Sequence, residues 1–333
     1  MNTLISSSIP CLESLPDELF YDIFEYLSVR DLYDGFYNLN YRFASILSSL
    51  TNVYGEMITK EEAYSPAFLF FATRITILSV EHVEPIDFSP FVALRSLRLH
   101  TEPNRSQCQS IQLLSHLEYL SVDKPRVEHF YYSISLSFFV LTNAFPSLCS
   151  CRLNLIPFKD KQQWTLVPSL HILNISIGNP RVYPQILYAC PSLDKFNLEF
   201  TPHFTTPPKV FFDSPHTSLR QLKLRLNCTT FSYCQIIDLL LSLVPNLIYL
   251  SIRGSLSDAN NIDIDSFAVI LYHRVPKLNK FFLKMAIQES LINTQQDDNY
   301  ENIQQLHPLF QYIIIYSSTQ YAPARLIIQS DSG

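Results

Sequence analysis

The sequence predicts an α/β protein in which a small helical segment precedes a long alternation of helices and parallel strands. Two patterns carry this prediction: an apolar stretch at residues 12–32 with helical spacing, and a short leucine-containing phrase that recurs through residues 91–285. Composition agrees with them, because 47% of the 333 residues are hydrophobic and 16% are charged, enough to bury a large core.

The recurring phrase consists of a leucine, two residues, an apolar residue, one further residue and a second apolar residue. Its eight leading leucines are Leu94, Leu117, Leu148, Leu170, Leu193, Leu219, Leu247 and Leu278. Their successive spacings of 22 to 31 residues lie near the roughly 20–29 residues of leucine-rich repeats. The apolar residues alternate with polar ones, as in Leu222-Lys223-Leu224-Arg225, which is the period of a strand with one buried face.

Helical patterns fill the intervals between these strands, for example CQIIDLLLSL at 234–243 and DIDSFAVILYHR at 263–274. Prolines that stop a helix often follow directly, at Pro146, Pro191, Pro245 and Pro276. We therefore expect residues 71–333 to form a curved leucine-rich-repeat-like solenoid with alternating parallel strands and helices. Such solenoids usually bind partners through the concave side, onto which the polar strand positions project.

The N-terminal residues 12–50, which begin with the stretch LESLPDELFYDIFEYLSVRDL at 12–32, predict two or three short amphipathic helices. Pro16 fits the first helical turn, and Ser14 with Asp17 matches a capping pattern. Asp31 is expected to cap the second helix. The apolar residues of the first helix lie on one broad face: Leu15, Leu19, Ile23, Phe24 and Leu27. A segment this small cannot bury all of that surface internally, so something else must cover it.

Residues 13–50 resemble an F-box. The family pattern of Leu-Pro, acidic, Leu, Ile-Phe, Tyr-Leu and Asp-Leu is met by Leu15-Pro16, Glu18, Leu19, Ile23-Phe24, Tyr26-Leu27 and Asp31-Leu32. The family usually closes its motif with a cysteine and a tryptophan, whereas this sequence has Asn40 and Phe43. The resemblance implies that these helices dock on the Skp adaptor, and through it on a cullin, while a C-terminal repeat domain selects the protein substrate.

Three regions follow from this interpretation: an F-box domain at 10–54, a linker at 55–70 and the solenoid at 71–333. The implied adaptor-binding residues are Leu15, Pro16, Leu19, Ile23, Phe24, Leu27 and Leu32. The expected function is that of a non-catalytic substrate receptor of a cullin-type ubiquitin ligase. Three alternatives stay open: a repeat scaffold without ligase recruitment, a generic hairpin that caps the first repeat, and an unrecognised α/β enzyme.

The polar strand positions of the last four repeats are the predicted substrate-binding face. The candidates are Lys195, Lys223, Arg225, Tyr249, Arg253, Lys280 and Lys284. These repeats carry six basic side chains against Glu199 alone, whereas the corresponding charges of the earlier repeats sum to zero. Lys223, Arg225 and Arg253 are expected to meet a substrate segment that is acidic or phosphorylated, because charge-assisted contacts to such groups are strong.

Several function classes are disfavoured by what the sequence lacks. Only five glycines occur, and no two are spaced for a phosphate-binding loop. The seven cysteines include no C-x-x-C pair, the nine histidines show no metal-ligand spacing, and no G-x-S-x-G motif occurs. We therefore expect no catalytic residues, no cofactor and no metal.

Charge and hydropathy bound the partners and the location. The net charge of −6 argues against nucleic acid, and the longest apolar runs are too short to span a membrane. The N-terminus MNTLISSSIP lacks secretory features. A cytoplasmic or nuclear protein with reduced cysteines is expected.

Overall fold

The structure is a computed structural model that describes residues 12–81, 86–123, 133–153, 164–179, 182–200, 214–226, 233–256, 264–287, 308–310, 312–316 and 324–330. Its chain forms two compact units, Met1–Leu117 and Glu118–Gly333. The described residues contain ten α-helices and mostly parallel strands, so the predicted α/β class is confirmed.

The first unit begins with helices and continues into parallel strands. Its helices are α1 Asp17–Phe24, α2 Val29–Leu32, α3 Tyr41–Ser49, α4 Lys60–Ala63, α5 Pro66–Phe71 and α6 Arg105–Ile111. Its strands are β1 Val53–Met57, β2 Ile75–Val80 and β3 Ser96–Leu99, with β2 between the other two and all pairings parallel. A π-helical turn, Tyr33–Tyr37, leads from α2 towards α3.

Two predicted helix caps are wrong. The N-cap of α1 is Pro16 rather than Ser14, and its ring offers no side-chain hydrogen bond. The N-cap of α2 is Ser28, whose hydroxyl accepts from the backbone N–H of Asp31, while the Asp31 carboxylate accepts from the backbone N–H of Ser28. Asp31 is thus the third helical residue of a capping box, which the Ser-x-x-Asp spacing permits as readily as a cap at Asp31.

Residues 55–70, expected to be a linker, contain regular structure: most of β1, all of α4 and most of α5. Gly55 is buried, and a Cβ at this position would lie 3.0 Å from Cε1 of Phe68 in α5. The inward positions of β1 are Val53, Gly55 and Met57. Because glycine takes the central one, the apolar alternation that identifies a strand is interrupted in the sequence.

The second unit continues the alternation of strands and helices. Its strands are β4 Tyr119–Val122, β5 Ser150–Arg152, β6 Ile172–Ile177, β7 Lys195–Phe200, β8 Gln221–Leu226, β9 Tyr249–Leu256, β10 Lys280–Ile287, β11 Tyr312–Tyr316 and β12 Ala324–Gln329. Its helices are α7 Ser133–Leu141, α8 Val182–Ala189, α9 Tyr233–Ser242 and α10 Ile264–Arg274. Strands β4 to β10 are parallel and lie in chain order, after which β12 and β11 follow as antiparallel neighbours.

The repeated phrase corresponds to one structural position in each strand unit. Seven of its eight leading leucines have no exposed surface, and Leu278 is half-buried. After seven of the eight leading leucines, the next residue donates its backbone N–H to the same position one repeat earlier, as in His171 to Cys149 and Asp194 to His171, both at 2.9 Å. The phrase recurs because seven of its eight copies place their leucine in the core, and because within each unit every copy starts a strand in register with the previous one.

A tight turn precedes the strand in each of the eight repeats, and His216 makes an exceptional contact in one of these turns. In the other repeats the N–H of the leading leucine binds the carbonyl of the residue three positions earlier, as in Leu193 to Cys190 at 3.1 Å. The N–H of Leu219 instead donates to Nδ1 of His216 at 3.2 Å, while Nε2 contacts the Cys190 carbonyl at 2.9 Å. Both contacts together require neutral imidazole with its hydrogen on Nε2.

The stability of the protein is expected to fall with acid because of His216. Burial is the main cause that lowers the pKa of His216 below its ordinary value of 6.5. The unfolded chain therefore takes up the proton first, so this contribution is complete above pH 6.5 and is lost as the pH falls below it.

Urea unfolding at several pH values checks this expectation. His216→Val should flatten the decline in the free energy of unfolding below pH 6.5, because valine does not titrate. Valine is a suitable replacement because Val244 and Val275 occupy the same position in later repeats. An unchanged pH dependence in this variant would contradict the assignment.

Candidate protein-interaction surfaces

Helix α1 has apolar side chains on two sides, and only one side is buried. Phe20 and Phe24 point into the hairpin core with 0% and 2% exposure. Leu19 and Ile23 are 44% and 41% exposed, and Pro16 before them is also exposed. We call Pro16, Leu19 and Ile23 the α1 stripe. It is an apolar strip that the described part of the chain leaves open to solvent.

The predicted adaptor-binding residues divide into surface and core positions. Leu15 and Leu27 are half-buried at the margins of the α1 stripe. Phe24 and Leu32 are buried, which corrects their assignment to a docking surface, because neither side chain is accessible to a partner. The Phe24 ring lies 5.6 Å from that of Phe20 and 4.7 Å from that of Phe36, so it belongs to the aromatic core.

Arg42 at the start of α3 holds the Leu15-Pro16 turn in place. Its guanidinium donates to Oδ1 of Asp17 at 2.8 Å, to the Leu15 carbonyl at 2.5 Å and to the Glu13 carbonyl. It also lies 5.5 Å from the centroid of the Phe20 ring. The turn that leads into the α1 stripe is therefore positioned by several contacts before any partner binds.

Asn40 supports the same turn. Its Nδ2 donates to the Glu13 carboxylate at 2.9 Å, and its Oδ1 caps α3 by accepting from the N–H of Phe43 at 3.1 Å. Sequence reasoning missed the roles of Arg42 and Asn40, since the turn that they bind lies more than 20 residues away. The only local indication of a role for either residue was that asparagine at position 40 can cap the helix that follows.

The strand register of the second unit arranges the predicted basic face into rows. On the side of the sheet opposite the apolar core, three rows cross β7 to β10. They are Lys195–Gln221–Tyr249–Lys280, Asn197–Lys223–Ser251–Phe282 and Glu199–Arg225–Arg253–Lys284. All seven predicted substrate-binding residues belong to these rows, and none of the seven is buried.

The grouping differs in one respect from the expected triplet. Lys223 is opposite Ser251, not beside the two arginines, whereas Lys284 is the direct neighbour of Arg253. Arg225, Arg253 and Lys284 therefore form one line, which we call the basic row. Neighbouring strands lie about 4.8 Å apart, so the row spans about 10 Å.

Little negative charge compensates the basic row. Glu199 lies at one end of it, with a carboxylate oxygen 3.6 Å from the Arg225 guanidinium. Among the described residues, no carboxylate lies within ion-pair distance of Arg253 or Lys284. Arg253 instead contacts the Phe282 ring, 5.5 Å from its centroid, and Lys223 lies 5.9 Å from the centroid of Tyr249.

The described residues also give information on metal binding and on thiol reactivity. No group of three His, Cys, Asp or Glu side chains in the described ranges could hold a metal ion. Burial raises the pKa of Cys108 and of Cys190 to about 12, so both thiols stay protonated and unreactive at neutral pH. In the same part of the chain no helix is long and apolar enough to cross a membrane.

No protein-family model matches the chain, and no curated protein sequence matches it.

Proposed function

We propose that this protein is a non-catalytic substrate-recognition subunit of a cullin-type ubiquitin ligase. Residues 13–50 act as an F-box that binds the Skp adaptor, and the repeats that follow bind a protein substrate. The chain transfers no group itself; its contribution is to hold the substrate close to the ligase machinery. The protein works in the cytoplasm or the nucleus, where these ligases operate.

The observation that carries the adaptor assignment is the exposure of the α1 stripe. Burying one large apolar side chain fully contributes about 1.5–3 kcal/mol. Leu19 and Ile23 are 44% and 41% exposed, so covering what remains open of both offers a partner about 1–3 kcal/mol in total. The Leu15-Pro16 turn beside them is held by Arg42, which lowers the ordering cost of docking. This apolar strip next to a fixed Leu-Pro turn is the arrangement expected of an F-box.

The repeat assignment is supported by the second unit. Parallel strands in chain order, recurrent buried leucines and an open strand face are all features of a leucine-rich-repeat domain. Its exposed face carries the basic side chains, which makes it the natural site for a substrate.

One observation favours a second candidate, a repeat scaffold without ligase recruitment. Where the F-box pattern usually has a cysteine, Asn40 binds Glu13 and caps α3, and the usual tryptophan is missing. The hairpin could keep its fold with this replacement and yet have lost its adaptor.

Co-purification with the Skp adaptor tests the proposal. The double change Leu19→Ser, Ile23→Ser should weaken adaptor binding by at least about tenfold, because both side chains lie in the α1 stripe. The matched control is Leu69→Ser, Leu113→Ser, which removes two leucines of the same unit that are 62% and 69% exposed. Equal loss in both variants would contradict docking at α1, and a wild-type protein that binds no adaptor would favour the scaffold.

A further inference from the structure

We propose that the basic row binds an extended, carboxylate-rich segment of the substrate, with its main contact between Arg253 and Lys284. This inference rests on the proposed function in one respect: it takes the partner to be a substrate. The chemistry expected of the ligand is argued from the geometry and charge of the second unit alone.

Electrostatic crowding is the first step. Arg225 and Arg253 are direct register partners on β8 and β9, and Lys284 is the partner of Arg253 on β10. Like charges directly opposite each other on neighbouring strands destabilise a sheet. An anion placed between them relieves that repulsion, so the row is arranged to gain more from an acidic ligand than from a neutral one.

The position of Glu199 gives the row a direction. Its carboxylate lies 3.6 Å from Arg225 and partly neutralises that end, while Arg253 and Lys284 have no such partner among the described residues. An incoming carboxylate is repelled by Glu199 and attracted to the opposite end. The strongest contact is therefore expected over β9 and β10.

Spacing favours several carboxylates over one isolated anion. The three cations extend over about 10 Å, and a carboxylate can bridge two that are about 4.8 Å apart. In an extended peptide, alternate side chains face the same side and lie about 6.6–6.8 Å apart. Acidic residues at alternate positions can thus occupy both intervals of the row, whereas one phosphate can occupy only one of them.

One aromatic ring beside the row restricts one of its cations, and a second ring lies one row further away. Phe282 in the adjoining row holds the Arg253 guanidinium, and Tyr249 in the next row lies beside Lys223, which is not part of the basic row. A peptide backbone can pack on such rings while its carboxylates reach the row. Duplex or single-stranded nucleic acid is the less favoured polyanion, since the whole chain has a net charge of −6 that repels a long phosphate backbone.

The test uses the full-length protein and a fluorescein-labelled peptide that alternates glutamate with serine, with binding measured by fluorescence anisotropy at low and high salt. The double change Arg253→Gln, Lys284→Gln should weaken binding by at least about tenfold and remove most of its salt dependence. Glu199→Gln should tighten binding. The matched control is Arg152→Gln, which removes an exposed arginine of the same sheet that is paired with Asp123 at 3.6 Å, and it should change little.

Three results would overturn the inference: equal effects of the control and the double change, equal binding of a peptide with glutamine in place of glutamate, or binding of a singly phosphorylated peptide but not of the glutamate peptide.

Adaptor co-purification of the Arg253→Gln, Lys284→Gln variant separates this inference from the proposed function. That variant should bind the adaptor normally, so a loss of peptide binding alone concerns the basic row, and a loss of adaptor binding alone in the α1 variant concerns the F-box.

Discussion

Replacing Phe43 with alanine is expected to lower the free energy of unfolding by about 3–5 kcal/mol, the range for a large aromatic residue removed from a core. Phe43 has no exposed surface. Its ring lies 4.9 Å from that of Phe20 in an edge-to-face contact and 5.6 Å from that of Phe36. Removing it leaves a cavity between α1, α3 and the π-helical turn.

Urea unfolding followed by circular dichroism measures this loss, and hydrogen exchange over residues 12–50 should rise locally. The matched control is the neighbouring Tyr41→Ala, whose side chain is 87% exposed and which should cost no more than about 0.5 kcal/mol. If the two variants were equally stable, Phe43 would not be part of a packed core. Adaptor binding should also be lost in the Phe43 variant, because its core fixes the orientation of α1.

Replacing Gly254 with alanine is the second change with a large expected effect, about 1–3 kcal/mol, and valine should cost more. Gly254 in β9 is the register partner of Leu226 in β8. A Cβ at this position would lie 2.4 Å from the Leu226 carbonyl oxygen and 3.1 Å from Cε of Met285. The methionine can move aside, but the carbonyl belongs to the backbone, so the two strands must separate locally.

Gly35→Ala is the matched control, since nothing lies within 4 Å of the Cβ that it would add. It should leave the urea midpoint unchanged or raise it, because alanine reduces the entropy of the unfolded chain. The Gly254 variant should also bind the glutamate peptide more weakly, as Arg225 and Arg253 are the register pair directly before Leu226 and Gly254. Equal stability of both glycine variants would show that β8 and β9 are less closely held than their geometry indicates.

Much of the architecture could be predicted because its signals are local. The alternation of Leu222, Lys223 and Leu224 identifies a strand with one buried face wherever that strand lies in the fold. Helical patterns between such strands favour parallel strands, and the regular repeat favours neighbours in chain order, as β4 to β10 are. The strand β1 was missed because Gly55, which packs against Phe68, interrupts the same local signal.

The N-terminal helix shows what local pattern cannot decide. Leu19, Phe20, Ile23 and Phe24 are all apolar, so the sequence alone offers two possible inward faces separated by about 100° around the helix. The aromatic rings of Phe36 and Phe43 select Phe20 and Phe24 for the core. Leu19 and Ile23 remain on the surface as a consequence of that packing.

The sequence determines one part of the basic face, and the tertiary structure determines the other. The two-residue period of each strand determines which residues point away from the core. All the predicted basic residues follow this period, and none of them is buried. Which cations become neighbours depends on how the strands pair. That pairing sets Lys284 beside Arg253 and Lys223 beside Ser251. Register between strands is decided by hydrogen bonds between residues more than 20 positions apart and by the packing of the helices that connect them, so no stretch of sequence contains it.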